Sequence, residues 1–174
     1  MAEGEFALVR QHLEEAINKG SLGWRPRGDH DIFAMLADVA VRQGDLEAIR
    51  RYAPLAEEAA TRYGHKLYHA IAHRAWGVAH RLAGEYALAK ARLDQALELF
   101  RELDARWQIG RTCSELGELA LALSDTAAAR HYLTAALALF QSLGAAPDAA
   151  RTQAMLEKLP EYRRTSVTLS SSMR

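Results

Sequence analysis

The chain has 174 residues, enough for one domain or one short repeat array. Its 22 lysines and arginines balance 22 aspartates and glutamates, so no overall field favours nucleic acid or an anionic membrane. Hydrophobic residues make up 49%, with alanine prominent, which suits close helix packing, and the single cysteine, Cys113, excludes an internal disulfide.

Residues 4–19 carry apolar positions at helical spacing and predict one helix. The start, Met1-Ala2-Glu3-Gly4-Glu5, has neither the basic stretch nor the apolar run of a signal peptide. Nowhere does the chain approach the ~20 apolar residues that span a bilayer. A reducing, cytoplasmic setting is the expectation.

Next comes Gly20-Ser21-Leu22-Gly23-Trp24-Arg25-Pro26-Arg27-Gly28, whose glycines and proline predict a loop. Trp24, followed by Arg25 and Arg27, is a candidate loop contact. The alternative is a Trp24 that folds back over the neighbouring helices.

Three helix pairs follow, over about 31–63, 66–103 and 107–143. The third pair copies the second: Leu88, Leu93, Ala96, Leu97, Phe100 reappear as Ala128, Leu133, Ala136, Leu137, Phe140. Gly84 predicts a left-handed turn inside one pair. Gly64 and Gly144 end second helices, with Asp104 between them in register. Ser124 replaces the glycine of the other turns and is expected to cap the next helix through its side chain. Residues 148–159 match the first helix of a pair, as 4–19 match a second helix. Such a start suggests a piece of a longer array. The tail, 160–174, is polar and is expected to stay outside the array. Within it, Arg163-Arg164-Thr165-Ser166-Val167 matches a short basophilic kinase motif.

Behind this order lies a fixed step of 40 residues. Ala16, Ala56, Ala96 and Ala136 keep it, as do Leu36, Trp76, Leu116 and Leu156. A fixed period in this range marks a stacked repeat array, and such arrays usually work as binding surfaces.

The repeat resembles the tetratricopeptide repeat, a helix-turn-helix unit of 34 residues with a W-x2-L-G-x2-Y…A-x3-F…A pattern. The Leu-Gly pair stands here as Trp76-Gly77 and Leu116-Gly117, and as Leu36-Ala37 in the first pair. The small residue of the second helix is Ala89 and Ala129, with Ile49 in the first pair; the large one is Leu93 and Leu133, with Ala53 in the first pair; the later alanine is Ala56, Ala96 and Ala136. HEAT-type repeats share the period, but the glycine and alanine scheme favours the tetratricopeptide reading. Forty residues resembles the longer variant found in MalT-like bacterial regulators and in domains appended to nucleotide cyclases. The resemblance implies an all-α, right-handed superhelix of antiparallel helix pairs. It also implies a protein- or peptide-binding module, a sensor or scaffold region of a larger signalling protein, with no enzyme activity and no cofactor. In that family the first helices line the concave groove. The matching positions give a basic strip of Arg74, Arg81, Arg111, Arg151 and Lys158, with Ser114 beside it, expected to face solvent and to grip an acidic or carboxylate-ended peptide. Asp31 and Asp38 would make the other end acidic. The alternative is that the arginines pair with Glu115, Glu118 and Asp125. The family's chaperone-binding clamp uses an asparagine where this chain has Asp38, Val78 and Glu118, so a chaperone tail is a poor ligand. A second functional class is self-association, with apolar faces of the terminal half-repeats stacking end to end.

His65, His69 and His73 step by four along one helix, a spacing that suits a metal. No H-E-x-x-H motif accompanies them, and packed or surface histidines explain the pattern equally. Cys113 has the register of an inner packing residue, hence a buried thiol.

Overall fold

In the computed structural model, residues 3–18 and 29–160 are described. Trp24 and the tail beyond Pro160, with its kinase motif, lie outside them.

The described residues form eight α-helices: α1 (Glu3–Asn18), α2 (Asp29–Gln43), α3 (Leu46–Tyr63), α4 (Lys66–Leu82), α5 (Tyr86–Glu102), α6 (Arg106–Ala122), α7 (Thr126–Ser142) and α8 (Ala146–Glu157). Each packs along its neighbour in sequence, most extensively in the pairs α2–α3, α4–α5 and α6–α7. Turns of two or three residues force those neighbours to run antiparallel. The result is the expected all-α solenoid.

Every turn from α2 to α8 is built alike. The backbone N–H of Asp45, His65, Glu85, Ala105, Asp125 and Ala145 reaches back to the carbonyl five residues earlier, at 2.8–3.1 Å. This closure needs a left-handed residue just before it. That residue is Gly44, Gly64, Gly84, Asp104, Ser124 and Gly144, with φ between 48° and 79°. The left-handed positions therefore fall every 20 residues, one per helix. Ser124 differs from expectation. Its φ of 59° makes it the turn residue, and the cap is Asp125, whose side chain accepts from the Ala128 N–H at 2.9 Å. The position had gone to glycine in the other repeats for its backbone, not for a cap.

Packing follows the repeat. At Gly77 a Cβ would stand 2.6 Å from Leu93 Cγ, and at Gly117 one would stand 2.7 Å from Leu133 Cγ. Helices α4–α5 and α6–α7 thus cross with no room for a side chain on one partner. The first pair solves the same crossing differently, with Ala37 and Ala53, both fully buried. Two small side chains meet there in place of a glycine and a leucine. The corresponding position on α8 is Glu157, which is exposed.

Candidate functional site

The first helices of the pairs, α2, α4, α6 and α8, carry charges three, four and seven residues apart, which puts them on one face of each helix. These faces meet on the inside of the solenoid. The structure brings most of the expected basic strip together there, but in two neutralised clusters.

In the first, Asp38 of α2 is the hub. Arg74 Nη2 of α4 donates to its Oδ1 at 2.7 Å, and Arg111 Nη1 of α6 donates to both carboxylate oxygens at 2.7 and 2.6 Å. Arg74 also donates to Gln108 Oε1 at 2.7 Å and lies over the Phe100 ring at 5.1 Å. Burial, helped by the charge on Arg111, lowers the Arg74 guanidinium to about 10. Burial alone would push the Asp38 carboxyl up, but Arg111 and Arg74 more than reverse this and hold it well below the usual carboxylate range. Two expectations are corrected here. Arg74 is 0% exposed and Arg111 is 7% exposed, so neither faces solvent. The solenoid winds tightly enough for α6 to reach α2, and a charge left unpaired at that depth would be costly. Asp38 likewise does not make an acidic end, because its charge is spent on the two arginines. Asp31, expected beside it, hydrogen-bonds Tyr68 and raises that phenol to about 12.

The second cluster joins α4, α6 and α8. Arg81 Nη2 contacts Glu115 at 3.1 Å and Glu118 at 2.7 Å, and Arg151 Nη2 donates to Glu118 at 3.1 Å. Burial, with Glu118 adding to it, pushes the Glu115 carboxyl above its ordinary range. Pairing with Glu115 and Glu118 is thus found for Arg81 and Arg151, while Arg74 and Arg111 pair with Asp38. Asp125 has no part in it, since it caps α7. The Ser114 hydroxyl turns back to the Gly110 carbonyl at 3.2 Å, and Lys158 is exposed beyond the last turn of α8. Arg151, with 58% of its side chain exposed, is the strip arginine most open to a ligand.

Beside the first cluster lies a cleft of about 480 Å³ between α1–α2 on one side and α6–α8 on the other. Its apolar wall is Phe6, Val9, Met35, Val39 and Trp107. Met35 is 53% exposed, which is unusual for a methionine in a concavity. Arg42 forms the polar edge. Its guanidinium sits 5.8 Å from the Phe6 ring and 5.3 Å from the Trp107 ring, and it donates to Asp148 Oδ1 at 3.2 Å. Trp107 Nε1 donates to Asp148 Oδ2 at 2.9 Å. Burial and the nearby Arg111 lower the Arg42 guanidinium, against the pull of Asp148 and Asp38. Across both clusters and this edge, Arg42, Arg74, Arg81, Arg111 and Arg151 face Asp38, Glu115, Glu118 and Asp148. The site carries one cation more than it has carboxylates.

Sequence reasoning did not single out Met35, Trp107 and Asp148. Trp107 and Asp148 lie 65 and 106 positions from Arg42, and no local pattern signals such a meeting. The one available sign was Met35, a large apolar residue in the register of Ala75 and Glu115.

The His69 and His73 rings lie 6.0 Å apart, but each of the three histidines has a different neighbour. His73 Nδ1 is 2.8 Å from Arg92 Nη1, His69 Nε2 is 3.2 Å from Thr61 Oγ1, and His65 stacks on Tyr68 with ring centres 4.1 Å apart. Burial, then Arg92, lowers the His73 pKa. No cluster of three metal-ligating side chains occurs among the described residues. Cys113 is buried, and burial pushes its thiol up, away from the reactive thiolate.

No family model matches the chain, and no curated protein matches it. Among solved structures it is similar to the crystal structure of BtubC (BKLC) from P. vanneervenii. The identity is 18% and the TM-score 0.58, over 99% of this chain and 82% of that one. At this identity the likeness speaks to the fold alone. Among the described residues, no helix is long and apolar enough to cross a membrane.

Proposed function

We propose that this chain is a tetratricopeptide-type module that binds a protein segment, as a cytoplasmic sensor or scaffold region of a larger bacterial signalling protein. The seat is the cleft between α1–α2 and α6–α8, not the length of the basic strip. One observation carries this reading: Val9, Met35 and Trp107 stay exposed around a cleft of about 480 Å³ whose lining also holds Arg42 and Arg151. Apolar surface left open in a concavity rimmed by charge is the usual form of a recognition site. The ligand would be a peptide with an apolar side chain for Met35 and Trp107 and a carboxylate for Arg42 and Arg151. It acts by binding, without a reaction.

End-to-end self-association is the weaker alternative. Leu8 of α1 is 54% exposed and favours it at one end. At the other, α8 presents Gln153, Glu157 and Lys158, and Glu157 stands where a close helix crossing needs glycine or alanine.

Selection from a displayed peptide library tests the reading. Enriched peptides are expected to bind on the order of micromolar, about −8 kcal/mol. Met35→Glu and Trp107→Ala should each weaken them by roughly tenfold or more, a loss of about 1.4 kcal/mol. Arg62→Glu, on the exposed face of α3, should change little. If binding survives both cleft variants, the surface lies elsewhere.

A further inference from the structure

The last helix is held unlike the others. Within α8 only Thr152 is buried, whereas α4 and α6 each bury a long run of residues. It packs along α7 on one side. Across the inner face Arg151 reaches Glu118 of α6 at 3.1 Å through a largely exposed side chain, and the tie to α2 is made by Asp148 in the first turn. That carboxylate accepts from Arg42 of α2 at 3.2 Å and from Trp107 of α6 at 2.9 Å. Pro147, Asp148 and Arg151 of α8 also form one wall of the cleft.

We propose that Asp148 is a latch and α8 a lid. While Asp148 holds Arg42 and Trp107, α8 keeps the cleft at about 480 Å³. When it lets go, α8 swings on its packing against α7 and the cleft widens. Three features make the latch releasable. The Arg42–Asp148 pair is half-buried, with 17% and 18% of the two side chains exposed, so water and ions reach it. A single donor atom of Arg42 makes the contact, not a two-point fork. The inner bond between Asp38 and Arg111 joins α2 to α6 without involving α8, so the rest of the array stays fixed when the latch opens. Because Arg42 also flanks the apolar wall, a carboxylate arriving in the cleft competes with Asp148 for it, which couples occupancy to opening. This last step rests on the binding reading above; the latch itself does not.

The test is a distance. Spin labels on Glu47→Cys of α3 and Gln153→Cys of α8, with Cys113 left in place because it is buried, report the position of the lid. In the parent the distance distribution should be narrow. Asp148→Asn keeps side-chain volume and removes the charge; Arg42→Gln removes the charge and shortens the side chain. Each should broaden the distribution and shift it outward by roughly 5 Å, the scale of element shifts in switching proteins. Amide exchange should quicken in residues 146–157 and stay unchanged in α4 and α5. A distribution like the parent's in both variants would overturn the latch. So would exchange that quickens throughout the array, because the contact would then be a general stabiliser. A latch that opens while peptide binding is absent would sink the binding reading and leave the lid standing.

Discussion

Arg111 donates two hydrogen bonds to Asp38, across 73 positions of chain and past an entire intervening helix pair. Repeat arrays are usually sums of nearest-neighbour contacts. This bond reaches the next neighbour but one. It is also what turns an expected ligand-gripping strip into internal structure.

The first prediction follows from that bond. Asp38→Asn leaves two buried guanidinium groups without their carboxylate and should cost about 3–5 kcal/mol in urea unfolding. The parent's acid limb reports the same group. Asp38 titrates near 3.9 when unfolded and lower when folded, so its contribution is complete above that pH and drains away as pH falls through it. The variant should therefore lose stability more gently in acid. An acid limb as steep as the parent's would mean that other carboxylates govern it.

Glu115 should behave oppositely. Its carboxyl is raised, so ionising it weakens the fold as pH climbs through the ordinary glutamate range. Arg81 keeps Glu118 at 2.7 Å without it. Glu115→Gln is expected to change stability at neutral pH by less than about 1 kcal/mol. A loss as large as that of Asp38→Asn would show that Glu115 holds Arg81 in place.

Gly117 and Leu133 offer a packing test. Gly117→Ala puts a methyl 2.7 Å from Leu133 Cγ and should cost about 1–3 kcal/mol. Leu133→Ala alone should cost about 2–5 kcal/mol by leaving a cavity. Combined, they rebuild the alanine pair that the chain already uses at Ala37 and Ala53. The double variant should then lose clearly less than the sum, measured as a double-mutant cycle. Strict additivity would show that the two sites do not share space.

Ser124 is a non-glycine residue at φ 59°. Ser124→Gly should raise the melting temperature slightly, by the equivalent of roughly 0.5–1 kcal/mol. Asp125→Ala, which removes the cap on Ala128, should lower stability by about 1 kcal/mol. If Ser124→Gly is the more damaging of the two, the side chain of Ser124 has a role beyond the turn.

Most of the fold was legible because it repeats. The pairs expected over 66–103 and 107–143 begin and end within a residue of the observed helices, since a left-handed turn and an apolar stripe mark both ends. The site was legible only as a set of positions on an inner face. Arg74 and Arg111 read as solvent-facing because helical spacing gives a direction and not a depth. Depth depended on how tightly the array winds, and winding is fixed by contacts such as Asp38 to Arg111 that no stretch of sequence contains. Met35 and Trp107 went unnoticed for the same reason.

The left-handed residues at Gly44, Gly64, Gly84, Asp104, Ser124 and Gly144 impose a counting rule on how such a chain can change length. One extra or missing residue between two of them turns every following helix by about 100°, and its apolar stripe leaves the core. Twenty residues keep the stripe but exchange inner helices for outer ones. Forty preserve both. Even then, a whole pair inserted between Asp38 and Arg111 would carry the two beyond each other's reach. Growth or loss in this chain is therefore quantised, and its middle is closed even to the quantum.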